Sequence, residues 1–277
     1  MRAATRHDSP TSLRDRRYWI RRLEVLGIFL TLLAGVGTPS MPVLAQDQPA
    51  RTDSSKSPDF GGIPPVRFEP LEREIEGWTV FVDPALVKGA YREEGERALT
   101  MLANHLQRIK ILVPAEPLAR LQQVELWIEH DHPRLKAMQY HPSEKWLIDN
   151  GHDPRLARKV HITQARQLFS REQMLKHPAV ILHELAHAYH DQVLGFDDPE
   201  VIRVFEQAKE QGLYEEVLLF TGEKVRHYAL TNHKEYFAEA TEAYFYRNDF
   251  YPFVRAELAE YDPALHELLK EIWGPLN

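Results

Sequence analysis

The pentapeptide His183-Glu184-Leu185-Ala186-His187 is the stretch of this sequence best suited to chemistry. Positions four residues apart lie on one face of an α-helix, so His183 and His187 can bind the same metal ion. Glu184 would then face a water molecule on that ion and act as a general base. Two histidines need a third protein ligand and leave a position for water, as in a catalytic zinc site. The alternative is a core helix whose histidines only make hydrogen bonds, but burying them without partners would be costly.

A second stretch, residues 232–242, supplies candidates for the third ligand. Glu235, Glu239 and Glu242 recur at helical spacing and form one carboxylate stripe among aromatic and small residues. Three like charges on a partly buried face repel each other unless a cation compensates them, and a metal ion would do so. We therefore expect this stripe to supply the third metal ligand. The alternative is that Glu235 only completes a capping box with Asn232, and that Glu239 and Glu242 are solvated.

Together the two stretches resemble the glutamate-type zincin metallopeptidases, the gluzincins. The similarity lies in the pentapeptide and in Glu235-Tyr236-Phe237-Ala238-Glu239, about 48 positions later. It implies one Zn²⁺ ion bound by His183, His187 and Glu235. It also implies hydrolysis of peptide bonds by a zinc-bound water that Glu184 activates.

The same resemblance implies roles for two further residues and a fold. Tyr228 lies seven positions before Glu235, where these enzymes have a tyrosine that assists catalysis, and it would donate to the developing oxyanion. Glu239 would orient a zinc-bound histidine. The implied fold is α+β and zincin-like, with a small strand-and-helix lobe (about residues 67–170) over a helix-rich metal-binding core. The metzincin pattern fails, because His190 comes too soon after the pentapeptide to be its third histidine.

The elements that must position these residues follow from the pattern of apolar residues. A buried helix over Pro178–Leu194 carries the pentapeptide, since proline favours a first turn and Gly195 ends the pattern. Residues 233–246 predict another helix, and residues 78–82 and 159–163 predict strands. Because the second strand comes just before the motif helix, we expect it to form the rim of the cleft and to pair with an extended substrate.

Five further histidines are candidates for metal binding: His132, His141, His152, His161 and His190. His190 lies about 10 Å along the helix axis from the first histidine of the pentapeptide, too far to share its metal comfortably. The other four lie in or beside a long irregular loop, and a metal site needs several convergent ligands. We expect all five to have structural roles.

Composition limits the kinds of site and partner. The 277 residues are 43% hydrophobic, which predicts a globular protein with a substantial core. Because the sequence contains no cysteine, disulfides and thiolate metal sites are excluded, and histidine and carboxylate ligands remain.

The first 45 residues differ from the rest of the chain. A basic segment, an apolar run and a small residue before a polar stretch predict a signal peptide cleaved after Ala45. Residues 46–66 predict a flexible linker, and residues 67–277 a single zincin-like domain. The alternative is an uncleaved anchor over Val25–Ala45, although glycine and proline break its second half. We expect a secreted or periplasmic (cell-envelope) protein without stable membrane association after cleavage.

Cleavage would leave 27 basic and 38 acidic residues, a formal charge of −11. Nucleic acid is therefore not an expected partner, and a peptide or protein substrate is. Two alternatives remain for the function: a catalytically silent, zinc-stabilised binding module, and a zinc amidase acting on a non-protein amide. Glu184 and Tyr228 argue against the silent module, because a structural site needs no base. The amidase uses the same metal chemistry, so only its substrates distinguish it.

Overall fold

The computed structural model describes residues 66–276, which combine a five-stranded sheet with a set of helices. The strands of that sheet are β1 (Leu71–Ile75), β2 (Trp78–Val82), β3 (Leu126–Ile128), β4 (Gln139–Tyr140) and β5 (Val160–Ile162). A separate hairpin consists of β6 (Val217–Leu218) and β7 (Lys224–Val225). The helices are α1 (Arg92–Leu112), α2 (Ala115–Leu121), α3 (Glu144–Asp149), α4 (Arg171–Lys176), α5 (Val180–Tyr189), α6 (Pro199–Glu210), α7 (His233–Phe245), α8 (Arg255–Tyr261) and α9 (Pro263–Trp273).

The sheet is mixed, with the strand order β1-β2-β3-β5-β4. Its three central strands β2, β3 and β5 run parallel, and β1 and β4 pair antiparallel at the two edges. The hairpin between β1 and β2 turns at Glu76 and Gly77, which both have positive φ angles, 54° and 92°. Such a two-residue turn matches the twist of antiparallel strands. Strand β1 was not predicted from the sequence, although the glycine of this turn was a usable signal.

The two faces of the sheet are covered differently. Trp78, Val80 and Val82 alternate along β2 and are fully buried in the main core, which also contains the apolar residues of α1 and α5. On the opposite face, Trp127 packs with Leu147 and Leu156 in a smaller cluster. These two leucines belong to the chain between β4 and β5, so the predicted irregular loop forms a cover over that face.

Helix α1 approaches the chain that follows β2 very closely. A Cβ atom at Gly95 would lie 1.9 Å from the carbonyl oxygen of Leu86. Only glycine fits at this position, so any substitution of Gly95 would push α1 away from the short 3-10 turn over Pro84–Leu86.

The predicted elements agree with the structure in type, with two differences in the motif region. Strand 78–82 is confirmed as β2, and helix 233–246 as α7, which ends one residue earlier. The motif helix begins at Val180 rather than at Pro178, and its last turn, His190–Leu194, is a π-helix. Gly195 ends it with a φ angle of 87°, as the pattern predicted.

The prediction that strand 159–163 forms the rim of the cleft is wrong. That strand is β5, which pairs with β3 on one side and with β4 on the other, so it has no free edge. The edge belongs to β4, only two residues long, which the sequence analysis placed inside an irregular loop. A two-residue strand has too short a pattern to be recognised from its sequence.

The fold of residues 66–276 is therefore mixed α+β, with a small sheet and a helical core. The predicted signal peptide and all but the last residue of the predicted linker lie outside the described residues. Among the described helices, none is both long and apolar enough to cross a membrane.

Candidate metal centre

Helix α5 presents His183 and His187 on one face. The helix is apolar on its other sides, and Ile181, Leu185 and Ala186 are fully buried in the main core. The imidazole ring centroids are 4.7 Å apart and nearly perpendicular, and the two Nε2 atoms are 3.1 Å apart. Burial of the helix thus fixes two nitrogen atoms that point toward one position.

Helix α7 brings Glu235 to the same position. The side chain of Asn232 caps the helix by accepting hydrogen bonds from the backbone N–H groups of Lys234 and Glu235. Glu235 consequently lies in the first turn, where its Oε2 atom is 3.3 Å from His183 Nε2 and 3.2 Å from His187 Nε2. The predicted third ligand therefore meets both histidines.

The three donor atoms form a nearly equilateral triangle that fits a metal ion. Ligand atoms bound at about 2.0–2.1 Å to a tetrahedral ion lie about 3.3 Å apart, close to the observed separations. Glu235 Oε2 is also buried and has no hydrogen-bond partner among the described residues. A buried carboxylate oxygen normally has a partner, and a cation at the centre of the triangle would supply it. His183, His187 and Glu235 could therefore hold a metal ion.

The electrostatics of the triad formed by His183, His187 and Glu235 favour a positive charge at the centre of the three donor atoms. Burial by itself raises the pKa of the Glu235 carboxyl, but the His187 and His183 imidazoles outweigh burial and hold that pKa well below its usual range. Burial lowers the pKa of His183, but the nearby carboxylates of Glu235 and Glu242 outweigh burial and raise that pKa well above its usual value. Without a metal ion, the site thus attracts a proton.

The second ring nitrogen of His183 contacts Glu242, not Glu239 as the sequence analysis predicted. His183 Nδ1 lies 2.7 Å from Glu242 Oε1 and 3.7 Å from Glu239 Oε1. His177 Nε2 lies 2.8 Å from the same Glu242 oxygen. A hydrogen bond from Nδ1–H to Glu242 leaves the Nε2 lone pair of His183 free for a metal ion.

His177, His183, Glu239 and Glu242 also lie close enough together to be considered as a second metal group. However, both imidazoles contact the same Glu242 oxygen at 2.7 and 2.8 Å, which is shorter than the separation of about 3.3 Å between ligands of one tetrahedral ion. These are hydrogen-bond distances, so we interpret the group as the support of the triad. Burial lowers the pKa of His177, but the charge of Glu242 has the larger, opposite effect and raises that pKa to about 9.

Glu239 and Glu242 are buried, so the alternative that they are solvated is wrong; they are 3% and 0% exposed. Burial, together with the Glu242 charge, raises the pKa of Glu239 to about 8. Asn248 Nδ2 donates a hydrogen bond of 2.7 Å to Glu239 Oε2. A proton shared by these two carboxyls is therefore held preferentially by Glu239, while Glu242 carries the negative charge beside His183.

Glu184 lies beside the triad, at the edge of the sheet. Its side chain is only 7% exposed, and burial raises the pKa of its carboxyl. The charges of His183 and His187 counteract that effect, as does a hydrogen bond of 2.7 Å that Glu184 Oε2 accepts from the backbone N–H of Tyr140. No local pattern indicates this contact, because 44 residues separate the two positions.

Tyr228 begins a short 3-10 turn that leads into α7. Its ring is half-buried, and burial raises the pKa of its hydroxyl, as does the nearby charge of Glu235. The charges of His183 and Glu184 also act on this pKa, so Tyr228 lies within electrostatic reach of the triad. It remains a protonated donor at neutral pH.

The additional histidines do not join the triad. His190 is fully buried, packs against the rings of Phe196 and Phe237, and has no hydrogen-bond partner for either ring nitrogen among the described residues. The loop histidines are buried on the far face of the sheet, where His141 Nε2 lies 3.1 Å from His161 Nδ1. Among residues 66–276, neither His190 nor a loop histidine belongs to a group that could hold a metal ion.

No known family model matches this chain, and comparisons with curated proteins and with solved structures found no match. The chemistry of the site must therefore be inferred from its geometry.

Proposed function

We propose that this chain is a zinc-dependent peptidase with a gluzincin-like core. The observation that carries the proposal is the triangle of donor atoms from His183, His187 and Glu235, with separations of 3.1–3.3 Å, beside the buried carboxylate of Glu184. Two histidines and one glutamate, with a fourth position free, form the donor set of hydrolytic zinc sites.

Zinc is the metal that these ligands favour, since imidazole nitrogen and a single carboxylate suit it better than they suit calcium or magnesium. When bound, it would supply a Lewis acid that polarises a carbonyl group and makes a water molecule nucleophilic near neutral pH. His183 and His187 would bind through Nε2 and Glu235 through Oε2. Glu242 would hold His183 in the correct tautomer through Nδ1.

Two residues would perform the proton chemistry. Glu184 is the general base, because its carboxylate lies next to the triad on the same helix; it takes a proton from the attacking water and passes it to the leaving amine. Tyr228 is the candidate donor to the carbonyl oxygen as negative charge develops there. Its raised pKa keeps the hydroxyl protonated for this purpose.

An extended peptide is the substrate that the sheet edge accommodates best. Strand β4 has a partner on one side only among the described strands, and it lies against Glu184. A peptide can pair with such an edge through main-chain hydrogen bonds that do not depend on its side chains. This assigns to β4 the rim function that the sequence analysis assigned to β5.

The remaining parts of the proposal come from the sequence. The composition and the N-terminal pattern favour a secreted or cell-envelope enzyme, without nucleic acid as a partner and without stable membrane association once the signal is removed. The same site could serve a non-protein amide, and a substrate profile would distinguish the two.

The test is metal analysis of the purified protein, together with hydrolysis of a quenched fluorescent peptide library. We expect about one zinc ion per chain, with cleavage lost on chelation and restored by zinc. Zinc binding without cleavage of any peptide would overturn the peptidase. Cleavage of acylated amino sugars in its place would favour the amidase, and no cleavage of either would favour the silent binding module. Failure to bind zinc would reject the site itself.

A further inference from the structure

The backbone N–H and carbonyl groups of Tyr140 point away from β5, the strand with which β4 pairs. The backbone groups of the neighbouring His141 point toward the chain that leads into β5. Its N–H donates to Lys159 O at 3.2 Å, and its carbonyl oxygen accepts from Arg158 N. Backbone groups of successive residues in a strand point to opposite sides. The N–H group of Tyr140 is therefore directed outward from the β4 edge, where an added strand would pair.

The outward N–H group of Tyr140 donates a hydrogen bond to the Glu184 carboxylate. The Tyr140 N to Glu184 Oε2 distance is 2.7 Å, typical of a charge-assisted hydrogen bond to a carboxylate. The proposed base and the sheet edge thus share one hydrogen bond. An extended ligand that pairs with Tyr140 must offer its own carbonyl oxygen in place of the Glu184 carboxylate.

The side chain of Tyr140 holds the strand against the same helix. Its hydroxyl donates to Asp191 Oδ2 at 2.6 Å and accepts from Gln192 Nε2 at 3.0 Å. Asp191 lies seven residues after Glu184, which is two helical turns, so Tyr140 contacts the helix at two points on one side. The side-chain contacts add to the amide contact in holding β4 against the helix that carries the base.

We propose that Tyr140 is a positioning residue whose amide is exchanged between Glu184 and an extended ligand at the β4 edge. Without a ligand, the amide holds one oxygen of Glu184. When a peptide pairs with β4, its carbonyl oxygen accepts the Tyr140 N–H, and the Glu184 carboxylate is released to accept a proton from water. The inference rests on the proposed function, and it adds that occupancy of the edge controls the base.

The contact itself is tested by amide exchange in the zinc-loaded protein labelled with ¹⁵N-tyrosine. In Glu184→Ala, the Tyr140 amide loses its acceptor, and its exchange should be faster by about tenfold or more. The amide of Tyr236 donates to Asn232 O inside α7 and serves as the internal reference that should not change. Equal protection of Tyr140 in both proteins would overturn the contact.

The exchange of partners is tested by peptide binding to inactive variants, with a pool of fluorescent random nonapeptides as the probe. Glu184→Ala leaves the Tyr140 amide free, whereas Glu184→Gln keeps an oxygen acceptor. We expect the pool to bind Glu184→Ala several times more tightly than Glu184→Gln.

Two Tyr140 substitutions show whether this difference depends on the amide. Tyr140→Ala keeps the N–H and should preserve the difference, whereas Tyr140→Pro lacks the N–H and should abolish it. Proline is tolerated on an edge strand where its nitrogen faces outward. Equal affinity of the two Glu184 variants, or no binding at all, would overturn the exchange. These results are distinct from a failure of the proposed function, which would appear as absent zinc or absent cleavage in the wild-type protein.

Discussion

His183 Nδ1 lies 2.7 Å from Glu242 Oε1, while the same atom lies 3.7 Å from Glu239 Oε1. Glu242 is seven residues after Glu235 on α7, so one helix supplies both a ligand for the metal and the support for another ligand. This relationship joins α5 and α7 at two points of a single imidazole ring. Glu242 contacts the Nδ1 atom of the ring, and Glu235 lies beside its Nε2 atom.

Replacing Glu242 should weaken the metal site more than replacing Glu239. We expect Glu242→Gln to lower zinc affinity by about ten- to hundredfold, the usual cost of removing a carboxylate that orients a ligand. Glu239→Gln is the matched control and should have a smaller effect, because Glu239 Oε1 lies 3.7 Å from His183 Nδ1, beyond hydrogen-bond distance. Competition with a chromophoric chelator measures both affinities. A larger loss in Glu239→Gln would restore the original assignment.

Removal of Glu235 should remove the metal. Without its carboxylate only two imidazoles remain in the triad, and two ligands do not form a stable zinc site. We expect Glu235→Ala to purify with much less than one zinc ion per chain, and Glu206→Ala, on the exposed side of α6, to retain full occupancy. Full zinc content in Glu235→Ala would reject Glu235 as a ligand.

Glu184→Gln should separate metal binding from turnover. The substitution preserves the shape of the side chain and leaves the triad unchanged, so zinc content should stay near one per chain. Loss of the general base should lower kcat by about a hundredfold or more. Hydrolysis of the peptide library measures the loss, and undiminished cleavage would exclude Glu184 as the base.

Acid should destabilise the fold through the loop histidines. Burial lowers the pKa of His132 and of His161 to about 3 and that of His152 to about 4. The unfolded chain protonates these groups near pH 6.5, so their contribution is complete above that pH and is lost as pH falls toward 3 to 4. Each histidine should contribute about 1.4 kcal/mol per pH unit to the slope. Urea unfolding at pH 7 and pH 5 measures it, and equal stabilities would contradict this prediction.

His190 should be replaceable without loss of metal. Its two ring nitrogens have no partners among the described residues, and its neighbours Phe196 and Phe237 are apolar. His190→Phe should therefore leave zinc content unchanged and keep or raise the free energy of unfolding, by about 1 kcal/mol. Metal analysis and thermal unfolding check both parts. Loss of zinc would show that His190 contacts the metal.

Much of the site could be predicted because its signals are local. The spacing of His183 and His187 on one helix and the carboxylate stripe beginning at Glu235 need only the helical period to be recognised. The buried helices α5 and α7 followed from apolar residues, Gly195 and the cap at Asn232. Strand β4 could not be predicted, because a strand of two residues is too short to show an alternation of apolar and polar residues.

The sequence alone determined which residues could bind a metal and which helices would carry them, since both depend on residue type and spacing within one element. Only the tertiary structure decided that Glu242 supports His183 and that Tyr140 contacts Glu184. Glu239 and Glu242 lie three residues apart on one stripe, and the packing angle of α7 on α5 selects between them. The contact of Tyr140 joins residues 44 positions apart through sheet pairing, which no local pattern encodes.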